Sequence, residues 1–251
     1  YAPGTYPSAE ELVPGRALWT DHEAIALADY RARFAQYRSD ADLRRLHQLY
    51  PMIAGWDDHE LANDTWSGGA ENHQSESEGE WSVRKAAAER AYREWMPVSD
   101  EPFAANDVGD LATLFRLETR HIARGKPLDL SQLIAGKPAP QDMVAALSAI
   151  RQGEYMDPTR EMIGAQQQGW LAQLLKTSRA EGKVWQVLAQ QVLMGHVAAP
   201  TALASLVSDG LPDYVLQRLM AGVLAAQAGL PLNRDGWDGY PAARARVFEA
   251  A

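Results

Sequence analysis

An α/β layered fold is the class this chain predicts, and three observations point to it. Short apolar runs alternate with amphipathic helical segments along the 251 residues. No internal repeat is visible. The composition, 46% hydrophobic and 23% charged, is that of an ordinary globular chain long enough to build a core.

Taken in order, residues 1–20 hold three prolines and two glycines among aromatic residues, and predict an ordered surface loop. Residues 22–38 place Leu27, Tyr30, Phe34 and Tyr37 on one stripe of a helix with Asp21 as N-cap. A second helix opens at Asp40 or Ala41, is expected to bury Leu43, Leu46 and Tyr50, and closes at Pro51. Residues 51–56, Pro-Met-Ile-Ala-Gly-Trp, form an almost wholly apolar run that predicts a buried strand. Residues 65–80 are acidic and Gly/Ser-rich, which predicts a mobile loop.

A strong helix is expected over residues 82–95, with Ala87, Ala91 and Trp95 stacked and Pro97 beyond its end. Residues 111–118 predict a strand and residues 125–141 a Pro/Gly-punctuated loop. A helix over 166–178 turns Trp170, Leu171, Leu174 and Leu175 inward, and residues 183–194 give a further strand. Residues 214–228 predict a helix ended by Gly229 and Pro231, and residues 241–251 a last helix with Pro at its first turn.

Charge and composition exclude several functions. With 33 acidic against 24 basic side chains the net charge is −9, so no global nucleic-acid-binding footprint exists. The absence of cysteine removes thiolate metal sites, Fe–S clusters, disulfides and cysteine nucleophiles. No stretch approaches the ~18 apolar residues of a membrane span, and no obligate protein partner is implied. The start at Tyr1-Ala2-Pro3-Gly4, without Met or signal features, reads as a cut.

Chemistry concentrates at Trp56-Asp57-Asp58-His59-Glu60, where the expected strand would deliver adjacent carboxylates and an imidazole to its C-terminal end. Such donors suit Ca, Mg, Mn, Zn or non-haem Fe, and a bound metal makes hydroxide from water near neutral pH. The same run also suits a helix N-terminus. Among the other histidines, His22, His47, His73, His121 and His196 carry no paired carboxylate motif and are read as surface or core residues. The arginines at 31, 33, 38, 44 and 45 interleave with acids and read as a solvated face. Residues 236–241 read first as a tight loop before a helix, and secondly as an aromatic pocket mouth.

The segments Tyr30-Arg31-Ala32-Arg33-Phe34, Trp56-Asp57-Asp58-His59-Glu60 and Asn63-Asp64 closely resemble the PhoD-like alkaline phosphatases, a branch of the metallophosphoesterases. So do Ala91-Tyr92, Glu94-Trp95-Met96-Pro97, Thr119-Arg120, Gln167, Trp170-Leu171, Gln191-Val192 and Trp237-Asp238-Gly239-Tyr240-Pro241, so that the likeness spans nearly the whole chain. It implies an α/β/β/α sandwich, incomplete at both ends, with residues 1–251 the central part of a single domain. The family's Gly-Asp-Tyr-x-Tyr-Glu and Gly-Asp-x-His metal motifs are expected before Tyr1 and after Ala251.

The resemblance further implies hydrolysis of phosphate mono- or diesters by metal-activated water, calcium and iron as metals, and export in the folded state to the periplasm or the exterior. Laid over these residues it makes Asp58, with Asp57, a metal ligand and His59 the catalytic group facing phosphate. Glu60 or Asp57 would orient the imidazole, and Asn63 would help hold substrate. Arg120 becomes the phosphate clamp, since guanidinium grips phosphate oxygens bidentately; its alternative is a surface ion pair, since Arg is often exposed. Glu118 departs from the pattern, standing where the family usually has Asp. A competing expectation is a non-catalytic α/β binding or interaction module, which the missing motifs favour.

Overall fold

A computed structural model of the chain describes residues 13, 15–137, 139–206 and 213–251. Most of the loop expected over 1–20 therefore lies outside the described residues. The fold is mixed α/β. Its elements in order are α1 (Leu27–Arg38), α2 (Ala41–Leu49), α3 (Ser75–Glu78), α4 (Trp81–Trp95), β1 (Ala104–Val108), β2 (Ala112–Arg116), α5 (Leu130–Ile134), α6 (Pro140–Gln152), α7 (Gly164–Ala180), β3 (Trp185–Ala189), α8 (Asp213–Gln227) and α9 (Pro241–Ala250), with short 3-10 turns between some of them.

The sheet is small, ordered β1-β2-β3. β1 and β2 form an antiparallel hairpin with Ala104 opposite Arg116, and β3 joins β2 in parallel with Ala112 opposite Trp185. The parallel pairing requires a long crossover, and α5, α6 and α7 supply it. Leu117 N–H donates to Ala189 C=O at 3.0 Å, so the ladder runs one residue beyond β2 toward the site.

Three apolar clusters hold these layers. Phe115 and Leu117 from the β2 segment meet Leu171 and Leu175 of α7, Val247 of α9, and Trp237 and Tyr240 from the turn before α9. Leu147 of α6 packs with Leu224 and Ala225 of α8. Tyr30 of α1, Leu61, Ala62 and the small residues Ala88 and Ala91 of α4 make the third, close beside the 57–60 turn. Burying side chains of this size contributes roughly 1.5–3 kcal/mol each.

Several sequence expectations are corrected. Residues 51–56 are not a buried strand: they pair with no strand among the described residues, and Ile53 is 57% exposed. Apolar character marked them, but a strand also needs a ladder partner, and neither edge of the sheet, β1 or β3, pairs with this segment. Helix α1 starts at Leu27 and Asp21 does not cap it; the Asp29 carboxylate accepts the Ile25 and Ala26 amides instead. Asp40 does cap α2, accepting from Asp42 and Leu43, yet Leu46 and Tyr50 remain exposed because α2 lies mainly against α1.

The acidic stretch 65–80 is folded into turns and α3 rather than left as a loose loop, with Thr65 and Ala70 buried. The reason is Arg84 of α4, a buried cation that Glu78 (2.9 Å) and Glu23 (2.7 Å) neutralise. Strand β1 was not anticipated, since Asn106 and Asp107 have low strand propensity. Nor was the region around 125–141 all loop: α5 lies in it, and α6 begins at its end. The helices over α4, α7, α8 and α9 stand where the periodicity placed them, and β2 and β3 fall inside the two expected strands.

Candidate functional site

The turn after Trp56 is built by its own polar side chains. Glu60 Oε2 accepts the Asp57 amide at 3.0 Å, and the Asp58 carbonyl accepts the Leu61 and Ala62 amides. Asp58 Oδ2 then accepts the amide of Asp64 at 3.0 Å, which closes the segment on itself. Asp64 pays for this closure with φ of +48°, a left-handed conformation that Asp tolerates better than most residues. Trp56 anchors the entry, stacked on Tyr92 of α4 with ring centroids 4.1 Å apart. The 57–60 run is thus a loop, as expected, though no strand carries it.

Arg120 meets this turn from the far side of the sequence. Its Nε donates to Asp57 Oδ1 at 2.8 Å, its Nη2 lies 2.7 Å from the same oxygen, and Asp58 Oδ1 stands 3.9 Å away. Nη1 donates to Asp235 at 2.7 Å. The side chain is only 3% exposed, so the surface alternative fails and Arg120 is a buried ion-pair hub. Burial works against its charge, but Asp235 first, then Asp57 and Asp58, outweigh it and raise its pKa.

Glu118 explains how Arg120 is aimed. Its buried carboxylate accepts three successive amides, from Arg120 (2.7 Å), His121 (2.9 Å) and Ile122 (3.1 Å). The Gln167 side chain of α7 meanwhile brackets the Glu118 backbone, accepting its N–H at 2.9 Å and donating to its C=O at 2.8 Å. Thus the longer arm at a position where Asp was expected serves the backbone, and Glu118 holds the loop that carries Arg120.

His59 projects outward, its side chain 56% exposed. Its Nε2 lies 2.9 Å from Asn63 Oδ1 and 3.5 Å from Asp58 Oδ2; both are acceptors, which places a hydrogen on Nε2. Asn63 donates onward to Glu71 and receives support from Asn72, whose Oδ1 accepts the Asn63 amide at 2.8 Å. Burial pushes the Glu60 carboxyl up. It pushes Asp64 up further, to about 6, with the negative charges of Asp235, Glu71 and Asp58 adding to the effect. The structure therefore gathers Asp57, Asp58, His59, Glu60, Asn63 and Arg120 in one place.

The donor set for a metal is less complete. Asp57 is turned to Arg120, one oxygen of Asp58 is taken by a backbone amide, and no group of three or more His, Asp or Glu side chains among the described residues is placed to hold an ion. These side chains by themselves do not fit a calcium or iron centre.

Two residues that the sequence reading passed over belong here. Asp235 joins Arg120 to Arg124, whose side chain is fully buried and whose guanidinium lies over the Tyr240 ring at 5.1 Å. An Asn-x-Asp-Gly turn signal at Asn233–Gly236 marks the spot, but nothing local announces its partner 115 residues away. His22 and His73 have carboxylates within 3.1 Å from their own neighbourhood, Asp21 and Glu78, whereas His196 meets Asp238 at 3.0 Å and His121 meets Glu89 at 3.3 Å, two pairings invisible in the linear order. Trp237 and Tyr240 are buried, so the tight-loop reading of residues 236–241 holds and the pocket-mouth reading does not. A cavity of about 190 Å³ opens beside Trp56, Tyr92, Arg116 and His121. None of Asp57, Asp58, His59, Asn63 or Arg120 lines it.

Comparison with known proteins decides the family. The family model described as PhoD-like phosphatase matches residues 1–251. The chain belongs to the PhoD-like phosphatase family. It is 33% identical over 235 residues to alkaline phosphatase D of Bacillus subtilis (strain 168), an alignment covering 90% of this chain and 32% of that protein. A solved structure titled "Structure of PhoD" superposes with a TM-score of 0.68 at 29% identity, over 100% of this chain and 40% of that one. This PhoD-like chain therefore spans about a third of the length of the curated relative it matches.

Proposed function

We propose that this PhoD-like protein hydrolyses phosphoesters, mono- or diesters, with an activated water as nucleophile and within a metallophosphoesterase sandwich. The observation that carries the reading is the convergence of two distant segments, the 57–60 turn and Arg120, on a single cluster. That cluster contains the residue types phosphoryl transfer needs: a guanidinium for the non-bridging oxygens, an imidazole for the leaving oxygen, and carboxylates beside them.

In this reading Arg120 holds the phosphoryl oxygens, and Glu118 keeps its backbone from swinging away. His59 stabilises charge or donates a proton as the P–O bond breaks, a role open to an imidazole whose Nε2 carries a hydrogen. Asn63 fixes the ring, since its Oδ1 faces Nε2, and assists in holding substrate. Glu60 keeps Asp57 and Asp58 presented by capping the turn. Calcium and iron are the metals the family likeness suggests, Asp58 and Asp57 the carboxylates it assigns to them. Location in the periplasm or outside the cell belongs to the same proposal; among the described residues no helix is long and apolar enough to cross a membrane.

The test is hydrolysis of p-nitrophenyl phosphate and bis-p-nitrophenyl phosphate by the purified product of the complete gene, with calcium and iron added. Turnover that falls roughly 10²–10³-fold in Arg120→Ala, with a native circular dichroism spectrum, supports the reading. No turnover on either ester would overturn it and favour a binding module.

A further inference from the structure

We infer that Asp235 is the positioning residue of Arg120, fixing the direction of its guanidinium; the inference rests on the reading of Arg120 as the group that holds phosphate. Two carboxylates grip that guanidinium, and they are not equivalent. Asp57 sits on the turn, with a side chain 45% exposed and its backbone amide held by another side chain, Glu60. Asp235 is 21% exposed and tied to the core three ways. The Asn233 side chain accepts the amides of Asp235 and Gly236 at 2.8 and 3.3 Å. Arg124 donates to both the carbonyl and the carboxylate of Asp235. Arg124 in turn packs against Tyr240, whose hydroxyl donates to the Gly125 carbonyl at 2.6 Å.

One oxygen, Oδ1, therefore receives Nη1 of Arg120 at 2.7 Å and Nη2 of Arg124 at 2.5 Å. The second contact matters electrostatically. An aspartate with Arg120 as its sole partner would add its full charge to those of Asp57 and Asp58 against the guanidinium, whereas Arg124 offsets the Asp235 charge and leaves only the carboxylates of the turn drawing on Arg120. Asp235 thus supplies direction at little cost in field, and the rigid turn before α9 becomes the reference for Arg120. A charged fork held in place needs no reorganisation when an anion arrives, and misplacing such a group by about 1 Å costs on the order of 10²-fold.

The experiment is a double-mutant cycle in the complete gene product, comparing wild type, Asp235→Asn, Arg120→Ala and the double variant. It reads KM and kcat on p-nitrophenyl phosphate, inhibition by inorganic phosphate, and the thermal midpoint. Asp235→Asn is expected to raise KM and the phosphate inhibition constant together, by roughly 10- to 100-fold, with a smaller change in kcat. In the Arg120→Ala background the same substitution is expected to change neither.

A merely structural role would lower the thermal midpoint and leave KM within twofold, or shift KM equally in both backgrounds; either result overturns the inference. If Arg120→Ala itself leaves KM and phosphate inhibition unchanged in an active enzyme, the reading of Arg120 fails first and takes this one with it. Should Asp235→Asn fold poorly, Asn233→Ala loosens the same turn without removing either carboxylate, and a KM unchanged by it likewise counts against the inference.

Discussion

Replacing Glu118 by Gln tests whether one side chain holds the loop that carries Arg120. The substitution keeps volume and shape. If the new amide oxygen takes the place of Oε1, the Arg120 and His121 amides keep an acceptor, now a neutral one, and the Ile122 amide faces an NH2 group instead of Oε2. Charge-assisted hydrogen bonds contribute about 1.5–3 kcal/mol against about 1 for neutral ones, and an amide left without a partner costs about 1–3 kcal/mol. With two bonds weakened by about 0.5–2 kcal/mol each and the half-exposed Ile122 amide costing about 1 kcal/mol, the predicted loss is about 2–5 kcal/mol, a large share of the ~5–15 kcal/mol by which domains are usually stable.

Urea denaturation followed by tryptophan fluorescence reads this as a fall in midpoint of about 1–2 M with little change in slope. The kinetic counterpart is a higher KM, because the guanidinium loses its fixed backbone. A midpoint within about 0.3 M of wild type would refute the reasoning, since the three amides would then have found other partners without cost.

Other perturbations separate the remaining parts. His59→Ala should leave stability unchanged, because the ring is more than half exposed, while lowering kcat by about 10²–10⁴; steady-state kinetics beside a thermal melt decide it. Asp64, raised to about 6 against an ordinary value of 3.8, binds its proton more tightly folded than unfolded, so its contribution to stability is highest at low pH and is lost as pH rises from about 4 to 6. Its ceiling is about 3 kcal/mol, or about 1–2 after solvent screening. Asp64→Asn, which also accepts the left-handed backbone, should therefore be more stable than wild type above pH 6 and lose the advantage below pH 4 in pH-dependent urea melts. Gly239→Ala would bring a Cβ to 1.9 Å from the Arg234 carbonyl oxygen, a backbone clash that no rotamer relieves. The expected outcome is loss of soluble folded protein, read by expression yield and circular dichroism.

Much of the helical frame was legible in the sequence because helices are local. α4 and α7 declare themselves through 3.6-residue periodicity, and Pro241 announces the start of α9. The candidate site was legible as a list of residue types, since Trp56 through Glu60 and Arg120 carry the family pattern. Their meeting was equally implied by that pattern, but its geometry was not. Whether Arg120 stands open or between two carboxylates depends on Asp235, 115 residues away, and no periodicity encodes that contact.

The same division accounts for the errors. Residues 51–56 have the apolar character of a buried strand, but strandhood is a property of pairs, and their backbone finds no partner among the described residues. Residues 65–80 look like a solvated loop because acidity is local information; their order comes from Arg84 on the next helix, a buried cation whose charge must be met. Sequence by itself determined the elements whose hydrogen bonds close within a few residues, the charge balance and the family. Tertiary structure alone decided which carboxylate faces which guanidinium, because ion pairs and strand ladders join residues that the chain keeps far apart.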